Sequence, residues 1–238
     1  MALQLRHLAL AGLASFCAAA PPVALKDGWY VLDGRRTLVN ALGYEPGARP
    51  GEAPYVQRVS RLEQVRQDLA RIRSAGFNAI RTWSALTEPE LRLVQASGLK
   101  VVFGIWLPPD EDFGDPAVVA RNLARVRETL AYSRKYSCVI TYLVMNEPMP
   151  EHLRKVGAQA TRDLWTHVVA LVHRLHPGVP VTISGNSAIT EWLDMNLFDV
   201  YARNAYDYGD SAHFTHGFAQ AHAAIHQSLG GTKPSLLT

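Results

Sequence analysis

Cysteine is nearly absent from this 238-residue chain, which carries only Cys17 and Cys138. Cys17 lies in an apolar N-terminal stretch that reads as cleavable. The mature chain would then keep Cys138 alone, which excludes an intrachain disulfide. Cys138 leads into an apolar run and reads as a small buried side chain. No block of Lys or Arg is present. The 24 basic and 21 acidic residues leave a net charge of +3 spread along the chain, so there is no nucleic-acid footprint. The nine histidines show no close metal-ligand spacing. The pairs His213/His216 and His222/His226 lack a carboxylate pattern beside them and read as one face of a helix. The segment Gly43-Tyr44-Glu45-Pro46-Gly47 has none of the glycine spacing of a phosphate-binding turn. No G-x-S-x-G elbow occurs, which disfavours an α/β-hydrolase.

What remains is the composition of a soluble globular protein, 48% hydrophobic and 19% charged, and long enough for one sizeable core. The N-terminus reads as an export signal over residues 1–20. Arg6 and the free amine supply positive charge, and residues 8–20 are uninterruptedly apolar or small, ending Ala18-Ala19-Ala20. That stretch is too short to span a bilayer. Pro21 is unfavourable just after a cleavage point, and a buried first helix is the alternative. Phe16 is too bulky for the position before a lipid-modified Cys17. The expected location is periplasmic or secreted.

Residues 21–38 read as a short lead containing a small hairpin over 25–36, with Asp33-Gly34 as its turn. From residue 39 onward, strand-like and helix-like stretches alternate. Strands are expected at 39–44, 78–83, 100–106, 139–145, 179–184, 198–204 and 234–238. Between them, Leu62, Val65, Leu69 and Ile72 mark one helix face, and Val119, Leu123, Val126 and Leu130 another. Leu164, Val168, Leu171 and Leu175 mark a further helix, and Phe214, Phe218, Ala221, Ile225 and Leu229 the last. Thr87-Glu88-Pro89-Glu90 is a capping box, and Asp115-Pro116 a capped helix start.

Such alternation implies a parallel sheet with right-handed crossovers. A doubly wound open sheet and a barrel both accommodate seven strands. The barrel is preferred because polar and aromatic residues gather at the C-terminal ends of several strands. The fold expected is therefore α/β, a (β/α)8 TIM barrel over residues 39–238 with seven strands represented and the eighth βα unit missing.

One strand end stands out. The run Val139-Ile140-Thr141-Tyr142-Leu143-Val144-Met145 delivers Asn146-Glu147-Pro148 to its tip, the way a (β/α) barrel presents a catalytic carboxylate. Three further stretches accompany it: Gly76-Phe77-Asn78-Ala79-Ile80-Arg81, the segment from Phe198 through Asn204-Ala205-Tyr206, and Lys233-Pro234-Ser235-Leu236-Leu237-Thr238. In this order, the chain resembles a retaining glycoside hydrolase of the (β/α)8 clan that includes families 2, 5 and 72. The resemblance covers nearly all of residues 38–238.

The resemblance implies Glu147 as general acid/base, with Asn146 on the sugar 2-hydroxyl. It implies Arg81 and Tyr206 beside the nucleophilic carboxylate. That nucleophile is expected just beyond Thr238, so the chain reads as a truncated form that is inactive alone. Trp83, Trp106 and Tyr44 end strands and offer faces to a sugar. No metal or organic cofactor is implied. The expected partner is an oligo- or polysaccharide, with no nucleic acid and no stable membrane span after signal cleavage.

The chemistry gives these residue types a reason. Cleavage needs one protonated carboxyl for the leaving oxygen, and retention needs a second, ionised one about 5–5.5 Å away. Each residue also has a plain reading: Arg81 as a barrel-end ion pair, the tryptophans as packing, Tyr206 as a rim residue, and Glu147 as a helix-start carboxylate. Asp110, Glu111, Asp112, Glu191, Asp194, Asp207 and Asp210 are alternative partner carboxylates for an inverting reaction. A non-catalytic carbohydrate-binding barrel is the competing function.

Overall fold

A computed structural model describes residues 23–49, 51–53, 55–56, 59–185, 195–204, 223, 227 and 233–238. The signal-like residues 1–20, Tyr206, and the apolar residues and histidines that mark the last predicted helix lie outside the described residues. So do Glu191, Asp194, Asp207 and Asp210.

The chain opens with a three-stranded antiparallel meander, β1 (Val23–Lys26), β2 (Trp29–Leu32) and β3 (Arg35–Thr37). The expected hairpin is thus two hairpins. The second Asp-Gly pair, Asp27-Gly28, turns the chain as Asp33-Gly34 does. All four residues have positive φ, between 50° and 79°, as a tight two-residue turn between twisted strands requires. Val23, Tyr30 and Leu32 point into the main core.

Seven parallel strands follow in the order β10-β9-β8-β7-β6-β5-β4. They are β4 (Ala41–Gly43), β5 (Ala79–Arg81), β6 (Lys100–Gly104), β7 (Val139–Asn146), β8 (Val181–Gly185), β9 (Tyr201–Arg203) and β10 (Ser235–Leu237). Each lies within a predicted strand or one residue beyond it. The α-helices with both ends among the described residues are α1 (Leu62–Ser74), α2 (Glu88–Ser97), α3 (Pro116–Ser133), α4 (Pro150–Val156) and α5 (Ala158–Leu175). The short α4 is the one that neither apolar periodicity nor a cap signal marked.

Local chemistry sets the boundaries. The Glu90 carboxylate accepts the Thr87 N–H at 2.7 Å, closing the start of α2, and Gly98 ends it with a left-handed φ of 75°. Asp115 accepts from the Ala117 N–H at 2.8 Å and Pro116 opens α3. Most of the predicted inner faces are buried, with Val65, Leu69 and Ile72 on α1, Val126 and Leu130 on α3, and Leu164, Val168 and Leu171 on α5, whereas Leu62, at the very start of α1, is exposed. Cys138 is buried, which pushes its thiol up to about 12.

The sheet is curled rather than flat. Its two edge strands line one cavity, of about 450 Å³, with Leu38 to Ala41 and Gly43 on one side and Ser235, Leu236 and Thr238 on the other. That curl disfavours the doubly wound open sheet and matches a barrel-like α/β domain. The meander sits at the N-terminal ends of the strands. The Tyr30 hydroxyl bonds Thr141 Oγ1 at 2.6 Å, near the start of β7, and Asp33 pairs with Lys100 at the start of β6. Among the described residues no helix is long and apolar enough to cross a membrane.

The end of β6 lies close against the backbone just past β5. A Cβ on Gly104 would sit 2.4 Å from the Thr82 carbonyl oxygen and 2.5 Å from Trp83 backbone atoms. Neither neighbour is a flexible side-chain end, so relief requires the strands to part. Gly104→Ala is expected to destabilise the fold by about 2 kcal/mol or more, measured by urea unfolding. A loss below about 0.5 kcal/mol would contradict this spacing.

Candidate active site

The C-terminal ends of the parallel strands form the mouth at which the candidate residues meet. Alternation along β7 starts with Thr141 facing the interior, where it meets Tyr30. Tyr142 faces the helices, its hydroxyl bonding Ser133 of α3 at 2.8 Å and His176 Nδ1 at 2.9 Å. Strict alternation would send Asn146 outward with Tyr142. The register corrects this. Leu143 pairs with Thr182 but Asn146 with Ser184, so β7 carries one extra residue at its end. This bulge turns Asn146 into the mouth, the use that rims make of bulges.

Arg81, at the end of β5, is 5% exposed and reaches across β6 to Asn146. Its Nη2 donates to Asn146 Oδ1 at 2.7 Å. The guanidinium lies over the Trp83 ring, 3.5 Å from the centroid, a cation–π contact in a dry setting. Asn204, just past β9, donates from Nδ2 to the same Asn146 oxygen at 3.3 Å. Asn204 Oδ1 in turn accepts from the hydroxyls of Ser184 and of Thr238, the latter at 2.6 Å. Five strand ends are thereby joined in one polar layer. Arg81, Asn146 and Asn204 come from alternate strands, as layers inside a barrel do.

Glu147 follows directly. Its backbone is left-handed, with φ 47°, and its N–H donates to the Ser184 carbonyl at 2.7 Å. A non-glycine residue in this region is uncommon, and such conformations concentrate at functional sites. Among the described residues no side chain hydrogen-bonds the Glu147 carboxyl. Asn146 likewise keeps its amide Nδ2 clear of these bonds, because both of its described partners bind the oxygen.

Two predicted site residues are not in this cluster. Gly43 faces the cavity, so Tyr44, one position on, faces the helices and donates its hydroxyl to Asp68 of α1 at 3.1 Å. Burial pushes that hydroxyl above its ordinary range, and the Asp68 charge adds to the shift. Trp106 stacks on Tyr55 with centroids 4.2 Å apart and planes 9° from parallel. It lines a separate cleft with Arg125 and Glu128 of α3. Trp83 does border the cavity of Arg81, with one face occupied by the guanidinium. Of the alternative carboxylates, Glu111 pairs with Arg121 at 2.9 Å and accepts from Asn122 at 2.7 Å, tying its loop to α3. Asp112 caps the turn at Gly114. Among the described residues no three His, Cys, Asp or Glu side chains cluster as metal ligands.

Three residues escaped the sequence reading: Glu45, Ser184 and Asn204. Glu45 follows β4 and accepts from the N–H groups of Trp83 and Ser84, the latter at 2.9 Å, and from the Ser84 hydroxyl at 2.6 Å. A signal for it existed, since a lone Glu past a strand end is a barrel-mouth position. Burial raises its carboxyl above the ordinary carboxylate range, outweighing these donors and nearby Arg81.

No protein-family model matches the chain, and no curated protein sequence does. Several solved structures share its fold. β-Glucuronidase from Ruminococcus gnavus, in complex with uronic deoxynojirimycin, superposes with a TM-score of 0.73 at 15% identity, over 91% of this chain and 38% of that one. Bacteroides uniformis β-glucuronidase gives 0.73 at 17%, over 90% and 26%. β-D-Glucuronidase from Dictyoglomus thermophilum gives 0.72 at 18%, over 90% and 38%. The chain thus spans between about a quarter and two fifths of these relatives, and at such identities the likeness is one of fold.

The raised Glu45 carboxyl has a consequence for stability. A folded value above the unfolded one favours folding while the group is protonated. That contribution is lost as pH rises from the unfolded value through the folded one. Relative to Glu45→Gln, whose side chain does not titrate, the native protein is expected to lose stability between pH 4 and pH 8, as read by urea unfolding at each end. A constant difference across that range would contradict the raised value.

Proposed function

We propose that this protein is a glycoside hydrolase or transglycosidase that cleaves β-linked saccharides by a retaining, two-carboxylate route. The observation that carries the reading is the end of β7. There an extra residue aims Asn146 into the mouth, and a left-handed Glu147 follows with its carboxyl free of described partners. An acid/base group must meet its substrate rather than its own protein, which is what such a carboxyl offers.

In this reading Glu147 protonates the leaving oxygen and then activates the incoming water or sugar hydroxyl. Asn146, its oxygen held by Arg81 and Asn204, donates from Nδ2 to the sugar 2-hydroxyl. The nucleophile is the residue after Thr238, about 5–5.5 Å from Glu147. In support, the Thr238 N–H continues the β10–β9 pairing onto the Arg203 carbonyl at 2.9 Å, which carries the chain to the same mouth. Arg81 would hold that carboxylate ionised through charge and hydrogen bonding, and Tyr206 would add a hydroxyl. The β-glucuronidases that share the fold make β-linked uronides the first substrates to try. The apolar leader at residues 8–20 supports export.

A panel of chromogenic β-glycosides and β-glucuronides tests the proposal on the product of the complete gene. Glu147→Gln is expected to lower kcat by about 10²–10⁴-fold while saccharide affinity stays within a few-fold. An unchanged rate would remove Glu147 from the acid/base role. Saccharide binding with no turnover by the native protein would favour the non-catalytic barrel instead.

A further inference from the structure

The geometry points to Glu45 as the positioning residue of the mouth: it holds the Trp83 backbone, and through the Trp83 ring it sets where the Arg81 guanidinium lies. The inference rests on the glycosidase reading for its kinetic consequence only.

Three constraints build this device, two from the β4 side of Trp83 and one from β6. From β4, the Glu45 carboxylate takes the consecutive N–H groups of Trp83 and Ser84 on one oxygen and the Ser84 hydroxyl on the other. This fixes the peptide that carries the tryptophan. Also from β4, Gly43 leaves room for the ring: a Cβ there would lie 2.9 Å from Trp83 Cη2. From β6, Gly104 lies so close that a Cβ would meet Trp83 backbone atoms at 2.5 Å. The backbone and ring of Trp83 are thus confined by two glycines and one carboxylate. Against the confined ring lies the guanidinium, 3.5 Å from its centroid and bonded on to Asn146.

The arrangement explains why a carboxylate sits in a largely desolvated place. Two adjacent backbone N–H groups past the end of β5 need acceptors once the sheet ladder stops. A side chain with two oxygens serves both and the Ser84 hydroxyl as well. A glutamine retains one oxygen for the two N–H groups, and its amide can donate to Ser84 Oγ. A methionine fills the space and accepts essentially nothing. The device therefore depends on the acceptor oxygen and not on the charge.

Fluorine NMR on protein labelled with fluorotryptophan reads this directly, since the chain has five tryptophans and the Trp83 signal is the one missing from Trp83→Phe. In Glu45→Met the Trp83 signal is expected to move toward its position in Arg81→Met, where the stack is lost, while the other four stay in place. Glu45→Gln should leave it near the native position. An unmoved Trp83 signal in Glu45→Met would overturn the inference. So would equal movement of all five, which is what general loosening gives. Should Glu45→Met not fold, Ser84→Ala removes one of the three hydrogen bonds that Glu45 accepts and should move the same signal in the same direction by less; no movement there also overturns it.

Kinetics supply the second arm. With any glycoside the native protein turns over, Glu45→Met should lose at least about 10-fold in kcat, with Glu45→Gln recovering most of it. A native protein that hydrolyses none of the panel would sink the glycosidase reading and leave the NMR arm to decide the positioning role. A hydrolysing native protein with kcat unchanged in Glu45→Met would sink the inference alone.

Discussion

A buried guanidinium governs the mouth of this domain. Arg81 is almost wholly out of water, and an uncompensated charge there would cost several kcal/mol. Part of its compensation comes from the Asn146 oxygen, two strands away, and from the Trp83 ring beneath it. The contact with Asn146 does not exist in a flat sheet with regular strands. The sheet must curl for β5 and β7 to meet across β6, and β7 must bulge for Asn146 to face inward. Glu147 is placed by the same bulge. The position of the candidate acid and the burial of the charge are thus two outcomes of one geometric requirement.

Around that requirement the domain separates two ends. At the N-terminal ends of the strands, the meander contributes Val23, Tyr30 and Leu32 to the core, with one polar bond from Tyr30 to Thr141. This end reads as stability. At the other end, side chains from β5, β7, β8, β9 and β10 share hydrogen bonds through Asn146 and Asn204. Shared hydrogen bonds of this kind tie the strand ends to one another. Retaining catalysis needs two carboxyl groups at a fixed separation, and a rigid layer beneath them suits that need.

Much of this was legible in the sequence. Strands fully buried on both faces announce themselves as apolar runs, as β7 does, and helix faces as spacings of three and four. The caps at Thr87 and Asp115 were explicit. Arg81 and Asn146 could be placed at strand ends by order alone. Side-chain direction could not. Tyr44 falls on the outer side of β4 because Gly43 takes the inner one, and a three-residue strand offers too little pattern to decide that. Trp106 lies past the end of β6, where its partner is Tyr55 from a distant loop. The β7 bulge leaves no mark in an all-apolar run, since the side-chain types are the same on both faces. Glu45 stood at a strand end, a position that could have marked it, but two of its three partners are backbone N–H groups, and those have no signature in sequence.

The central claim is that a saccharide sits at this mouth with its glycosidic atom on Glu147 and its 2-hydroxyl on Asn146. A crystal structure of the complete gene product with a non-hydrolysable β-thioglycoside tests it most directly. The bridging sulfur is expected in contact with the Glu147 carboxyl and the 2-hydroxyl within hydrogen-bonding distance of Asn146 Nδ2, over the Arg81–Trp83 stack. A sugar bound elsewhere, with Glu147 and Asn146 both untouched, would contradict it.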